Sequence, residues 1–305
     1  MYRGLLSFLI FFMLFAYVFI LKLKKETFTN KNNNHINKNN KKKFGLPIYV
    51  SLTSIYKKQN ELILTLNSIL NQTLLPDKIY LNLSVEPFIL DDGFKNKSIT
   101  NKNLSELLNK NKEKIEVKWV KNIGPYRKLL PILKEKWNED CIIILFDDDI
   151  VYDKNMIYNL VNDFKREQCV INYRGFTPRM KSITNFDYSK RNKDAKKRYI
   201  YNFSTNGAGT LLKPSFFYET KDLVFDEDIY LNYCSKQDDL WYYINRIINN
   251  VDCYIDTNKN NIKFNKNPGL WETFNKIDNN NTNVFHKTIK KIKNKYPEHY
   301  LKLFR

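Results

Sequence analysis

Residues 141–149 read Cys-Ile-Ile-Ile-Leu-Phe-Asp-Asp-Asp, six apolar residues running without a break into three carboxylates. An apolar run of this length predicts a strand buried on both faces, the pattern of a mostly parallel sheet. The acids then fall where the strand leaves the sheet, the edge at which open α/β sheets bind ligands. Three adjacent carboxylates repel one another. At ~4 Å, two like charges cost about 1 kcal/mol in water and roughly 4 kcal/mol at an effective dielectric of 20. A divalent cation removes that cost, and an all-oxygen donor set suits Mg²⁺ or Mn²⁺ completed by water and substrate phosphates. In an extended exit from the strand, Asp147 and Asp149 face one way and Asp148 the other. The outer pair then grips the metal while Asp148 supports it from behind. The competing reading is a solvated acidic turn at the end of a core strand.

The flanking chain supplies the rest of an α/β body. Towards the amino terminus, 47–53, 78–84 and 115–120 are β-rich, and apolar residues at helical spacing predict helices over 59–71, 103–111 and 126–137. Pro131 is tolerated only near the first turn of the last of these or at a kink. Strand and helix alternate, the rhythm of a parallel sheet with right-handed crossovers. After the acids come a helix at 154–165, a strand at 169–173 and a long, basic, aromatic stretch at 176–200. Such a stretch in a compact domain often serves as a flap or acceptor loop, although a tolerated insertion reads the same way. Gly207 and Gly209 precede a short strand at 210–212, a helix spans 237–249, and 251–255 forms a last strand.

The 305 residues are 43% hydrophobic and 15% aromatic, which agrees with a globular body. The net charge of +19 comes with abundant Asn, Ile, Tyr and Phe. That bias suggests an AT-rich coding sequence, so no specific nucleic-acid partner is expected, although attraction to anionic lipid or phosphates fits. Cys141, Cys169, Cys234 and Cys253 form no C-x-x-C pair, which argues against a zinc site and gives no disulfide framework. The uncharged run from Gly4 to Leu21 is 18 residues long. As a helix it spans ~27 Å, close to the ~30 Å of a bilayer core. It predicts an uncleaved single-pass membrane anchor within 1–25. The flanking lysines put the body on the cytoplasmic side, while the lysine-rich composition leaves a lumenal body open. Residues 26–45 are a polar, low-complexity stalk. The catalytic body is expected over 46–290, followed by a basic tail at 291–305.

Four motifs stand in one order: SLTS with its following helix and LNQTLLPDKIYLNLS (51–84), NIGPYRKL (122–129), FDDDI (146–150), and GAGTLLKP followed by QDDLW (207–241). Together they resemble the family 2-like glycosyltransferases of the GT-A fold, of the compact single-domain type found in bacteria and large viruses. The resemblance covers roughly 46–286. It implies a Rossmann-like, mostly parallel sheet flanked by helices. It also implies an inverting glycosyltransferase that moves a sugar from a nucleotide-diphosphate donor to a hydroxyl on a glycan, lipid-linked or protein acceptor, with Mg²⁺ or Mn²⁺. On the matching positions, Asp147 and Asp149 are the outer acids of a DxD motif, and Asp148 lies with the donor. Asp239 is the acid expected to act as general base, with Asp238 its neighbour. Gly207 and Gly209 line the donor–acceptor pocket, and Ser51, Thr53, Asn122, Gly124 and Arg127 lie near the nucleotide. His286 falls where some relatives place a late metal ligand. Many members carry an acidic turn after the second strand; here that place reads Asn82-Leu83-Ser84, which leaves the donor base open.

Each motif has a bland counterpart. Asp238 and Asp239 at a helix start are also what a helix dipole favours. The two glycines also suit a bulge. Arg127 and Lys128 suit donor phosphates, with Arg127 the expected contact, or simply the surface. Two other functions remain: a nucleotidyltransferase on a similar sheet, against which the glycine-free segment 51–58 counts, and a basic membrane-tethered binding module that ignores the acids.

Overall fold

The computed structural model describes residues 45–192, 194–264 and 281–304. The expected anchor at 4–21, the stalk as far as 44 and residues 265–280 of the expected catalytic body lie outside the described residues. Among the described residues, no helix is long and apolar enough to cross a membrane.

The core of the body is an eight-stranded sheet ordered β3-β2-β1-β4-β10-β6-β11-β8. Its strands are β1 (Ile48–Thr53), β2 (Lys78–Leu83), β3 (Ile115–Trp119), β4 (Ile142–Phe146), β6 (Val170–Asn172), β8 (Arg198–Tyr199), β10 (Ala208–Leu212) and β11 (Cys253–Ile255). Two small antiparallel pairs flank it, β5 (Ile150–Tyr152) with β12 (Ile262–Phe264) and β7 (Gly175–Phe176) with β9 (Phe203–Ser204). β3, β2, β1 and β4 are parallel, as the alternation predicts. β10 enters antiparallel between β4 and β6. The rhythm breaks there because the chain has already passed the acids and returns across the sheet from the opposite end.

β4 behaves as its sequence dictates, with no residue from Ile142 to Phe146 more than 1% exposed. Ile143 and Leu145 pack into one core cluster with Leu129, Leu133, Trp241 and Tyr242, and the alternate residues Ile142, Ile144 and Phe146 are buried on the other face. Each such side chain contributes about 1.5–3 kcal/mol relative to exposure. The helices are α1 (Gln59–Leu70), α2 (Lys102–Lys110), α3 (Leu130–Glu135), α4 (Met156–Glu167), α5 (Lys221–Val224), α6 (Glu227–Tyr233), α7 (Asp238–Ile248), α8 (Asn281–Lys295) and α9 (Pro297–Lys302). The helix expected at 126–137 instead opens as a 3-10 turn, Gly124–Lys128, and Pro131 sits in the first turn of α3. The basic stretch at 291–304 is not a separate tail. It continues α8 and adds α9, with Phe285, Ile289, Ile292 and Leu303 buried in the main core. Their i, i+4, i+7 spacing puts three apolar side chains on one helical face among lysines that stay in water.

Candidate active site at the carboxyl end of β1 and β4

β4 delivers Asp147, and residues 148–149 turn at once into β5. The exit is therefore not extended, and the expected division of the acids changes. Asp148 and Asp149 share one cation: the Lys58 ammonium lies 2.7 Å from Asp149 Oδ2 and 3.7 Å from Asp148 Oδ1. Ser54 Oγ donates to Asp148 Oδ2 at 2.5 Å. Asp147 turns to a different lysine, with Lys128 Nζ 2.5 Å from its Oδ1. Burial, reinforced by the Asp149 charge, raises the Asp148 carboxyl to about 6, against the pull of Lys58 and Ser54. Burial alone would lower the Lys58 pKa, but Asp148 and Asp149 outweigh it and raise it.

A third segment closes over Asp147. The Asp147 N–H donates to the Gly207 carbonyl at 3.0 Å and to the Tyr152 hydroxyl at 2.8 Å, and that hydroxyl in turn donates to the same carbonyl. A Cβ on residue 207 would lie 1.5 Å from Asp147 Oδ2, so this carboxylate occupies the space of the missing side chain. Gly209 takes φ +97°, the left-handed region, at a bulge between Ala208 and Thr210.

α7 brings the second acid pair to the same place. Lys128 Nζ, 2.5 Å from Asp147, is also 3.8 Å from Asp238 Oδ2. Asp239 accepts from the Asn206 N–H at 2.9 Å, next to Gly207. Burial and the adjacent Asp238 charge raise the Asp239 carboxyl to about 7, with Lys128 opposing. Asp238 is raised too, by burial, again against Lys128. Three buried polar atoms here have no hydrogen-bond partner: Asp238 Oδ2, Asn206 Nδ2 and Tyr242 Oη.

The remaining expected residues sit one layer away. Arg127 and Asp91 form an ion pair at 2.8 Å, their side chains 1% and 2% exposed. Asp91 also accepts from the Tyr56 and Gly93 N–H groups. Asn122 donates to Asp91 and to the Glu86 carbonyl and accepts from the Gly124 N–H, which fixes the turn where Gly124 adopts φ +62°. Ser51 Oγ donates to the Lys128 carbonyl at 2.6 Å, and Thr53 Oγ1 to the Asn82 carbonyl. The structure thus gives Ser51, Thr53, Asn122 and Arg127 partners within the protein. It is Lys128, next in the chain to Arg127, that faces the acids. His286 lies on α8 with Nε2 3.0 Å from the Phe186 carbonyl oxygen. The structure does not bring it to the acids: among the described residues, no three His, Cys, Asp or Glu side chains form a group able to hold a metal. A cleft of 380 Å³ is lined by Tyr56, Lys57, Gln59, Asn60, Thr100 and Asn101, and by none of the acids.

Sequence reasoning passed over Lys58, Asp91 and Asn206. Asp91 had a signal, the turn-forming Asp-Asp-Gly at 91–93 after the second strand.

No family model and no curated protein matches the chain. Solved structures do. The structure of Staphylococcus aureus TarS residues 1–349 in complex with UDP-GlcNAc aligns with 82% of this chain and 67% of that one at 14% identity and TM-score 0.50. The S. aureus TarS structure aligns with the same 82% at 14% identity and TM-score 0.50, over 40% of its length. The chain spans 66% of a further TarS 1–349 structure. At this identity the likeness is one of fold, a mixed α/β body with a central, mostly parallel sheet.

Proposed function

We propose that the chain is a glycosyltransferase that takes a sugar from a nucleotide-diphosphate donor and transfers it, with inversion, to an acceptor hydroxyl. One observation carries this reading. Acids from segments far apart in sequence, Asp147 at the end of β4 and the Asp238–Asp239 pair of α7, meet around Lys128 at the ligand-binding edge of the sheet, with the Asp239 carboxyl raised to about 7. A sugar hydroxyl is a poor nucleophile, so attack at the anomeric carbon needs a base within hydrogen-bond reach. Asp239 is that base. It takes the hydroxyl proton as the new bond forms and the nucleoside diphosphate departs with the electron pair of the old one. Asp238 Oδ2, Asn206 Nδ2 and Tyr242 Oη, buried near it with no hydrogen-bond partner, are polar groups that a bound sugar or its ordered water would satisfy.

The fit to a divalent cation is tested by what already rests on the carboxylates. The Lys58 ammonium acts as a stand-in ion on which Asp148 and Asp149 converge. Their oxygen donors suit Mg²⁺ or Mn²⁺; Asp147 and His286 are committed elsewhere. When bound, the cation would neutralise charge on the departing diphosphate. The likeness of fold to TarS, a structure of which holds UDP-GlcNAc, makes UDP-sugars the first donors to try. Acceptors are a glycan, a lipid-linked sugar or a protein, reached from a membrane through the span at 4–21. The test is a screen of nucleotide sugars with and without Mn²⁺, read by thermal shift and donor hydrolysis. A wild-type protein indifferent to every donor, in both readouts, sinks the reading.

A further inference from the structure

We propose that Lys128 is the shared counter-ion of the site, a positioning residue whose ammonium ties Asp147 on β4 to the Asp238–Asp239 pair on α7. The names donor side for Asp147 and acceptor side for the pair rest on the function proposed above; the electrostatic link does not.

The geometry isolates this lysine from the many others. Its side chain is 8% exposed, with Nζ 2.5 Å from Asp147 Oδ1 and 3.8 Å from Asp238 Oδ2. Its backbone is fixed from two directions. The Lys128 carbonyl accepts from Ser51 Oγ, itself held by Asn82 Nδ2, and two residues earlier Tyr126 Oη donates to the Cys234 carbonyl at 2.6 Å. The Gly124–Lys128 turn therefore delivers the ammonium to one point. Arg127 is turned to Asp91 and cannot replace it. Burial would discharge an isolated lysine here, but Asp147, Asp238 and Asp239 outweigh it and hold the proton on.

The consequence falls on Asp239. The groups that act on it are Asp238 on its own helix, Lys128 from the turn, Asp147 from the end of β4, Tyr188 from the 177–200 loop, and Cys234 and Tyr242. Lys128 is the cation that acts on it. Without it, three carboxylates are left with no cation between them, and Asp239 gives up its proton only at a higher pH.

The test uses the full chain with K128M, K128R and D238N. The first readout needs no donor. Carboxyls whose folded pKa is raised bind protons more tightly in the folded than in the unfolded chain, so their contribution to stability is lost as pH rises through the folded pKa. Deleting the ammonium raises those values further. The melting deficit of K128M relative to wild type should therefore grow by about 4 °C or more between pH 5 and pH 8, and K128R should cancel most of that growth. A deficit equal at every pH would make Lys128 a packing residue and overturn the proposal. The second readout is the acid limb of kcat/KM with the donor found in the screen. It should move up by about one pH unit in K128M and down in D238N, which keeps the ammonium and removes the neighbouring charge. D238N also covers the case in which K128M does not fold, and an unmoved acid limb in D238N overturns the link. A growing melting deficit in a protein that turns over no nucleotide sugar would keep the counter-ion and discard the glycosyltransferase reading.

Discussion

Asp239 is the base in the proposed mechanism, and its environment makes a directional prediction. A carboxyl raised to about 7 is protonated below that pH and cannot accept the acceptor's proton. Transfer should therefore rise with pH through about 7 and level off above it. Asp239→Asn should lower kcat by about 10²–10⁴-fold while donor affinity, measured by calorimetry, stays within a factor of two or so. Wild-type turnover in that variant would remove Asp239 as the base. Gly207 makes the second prediction. In Gly207→Ala the new methyl group takes the place of Asp147 Oδ2, and the carboxylate must swing off Lys128. The backbone at 207 has no left-handed φ, so the fold should survive with a melting temperature close to wild type. Activity should fall on the order of 10²-fold, the scale of a 1 Å misplacement. Undiminished turnover would show that the position of Asp147 is immaterial. The acids of this site were legible because adjacent carboxylates at the end of an apolar strand need a reason. Lys58 was not, because in a chain with 51 lysines and arginines no single lysine stands out, and of the pair Arg127–Lys128 the sequence favoured the arginine, which the structure turns to Asp91. Only the fold shows that Lys58 and Lys128 are the lysines turned to the acids of the site.

At the scale of elements, β4 and its parallel neighbours were readable because continuous apolar runs have few other uses. The direction of β10 was not. Ala208–Leu212 is as fully buried as β4, and a buried strand reads the same whichever way it points. α8 was obscured for a different reason: its buried stripe of Phe285, Ile289 and Ile292 is scattered through lysines, and charge dominated the reading of the carboxyl terminus. The structure packs Phe285 on Phe186, ring centroids 4.3 Å apart, and near Tyr243 of α7, the helix that carries Asp238 and Asp239. Phe285→Ala should therefore cost about 3–5 kcal/mol, the range for deleting a buried aromatic side chain. Urea unfolding measures it. A loss below about 1 kcal/mol would mean that the carboxyl-terminal helices are decoration on a domain that ends earlier.

At the scale of the whole molecule, the chain from Leu46 onward forms one compact unit. A body of this size buries roughly three quarters of the surface its unfolded chain exposes, enough to stand without help. Residues 46–305 produced alone should unfold in one cooperative transition and bind the same donors as the full chain. Membrane attachment should separate from folding in the same pair of proteins, but net charge complicates the comparison. A protein of charge +19 adheres to anionic vesicles whether or not it inserts. The decisive measurement therefore uses uncharged phosphatidylcholine vesicles in 1 M salt, where screening confines electrostatic attraction to about 3 Å. Under those conditions the full chain should float with the vesicles through the apolar run at 4–21, and the 46–305 fragment should stay behind. If both float, the body carries its own lipid-binding surface. If neither does, the amino-terminal run is no anchor, and the acceptor must be sought away from a bilayer.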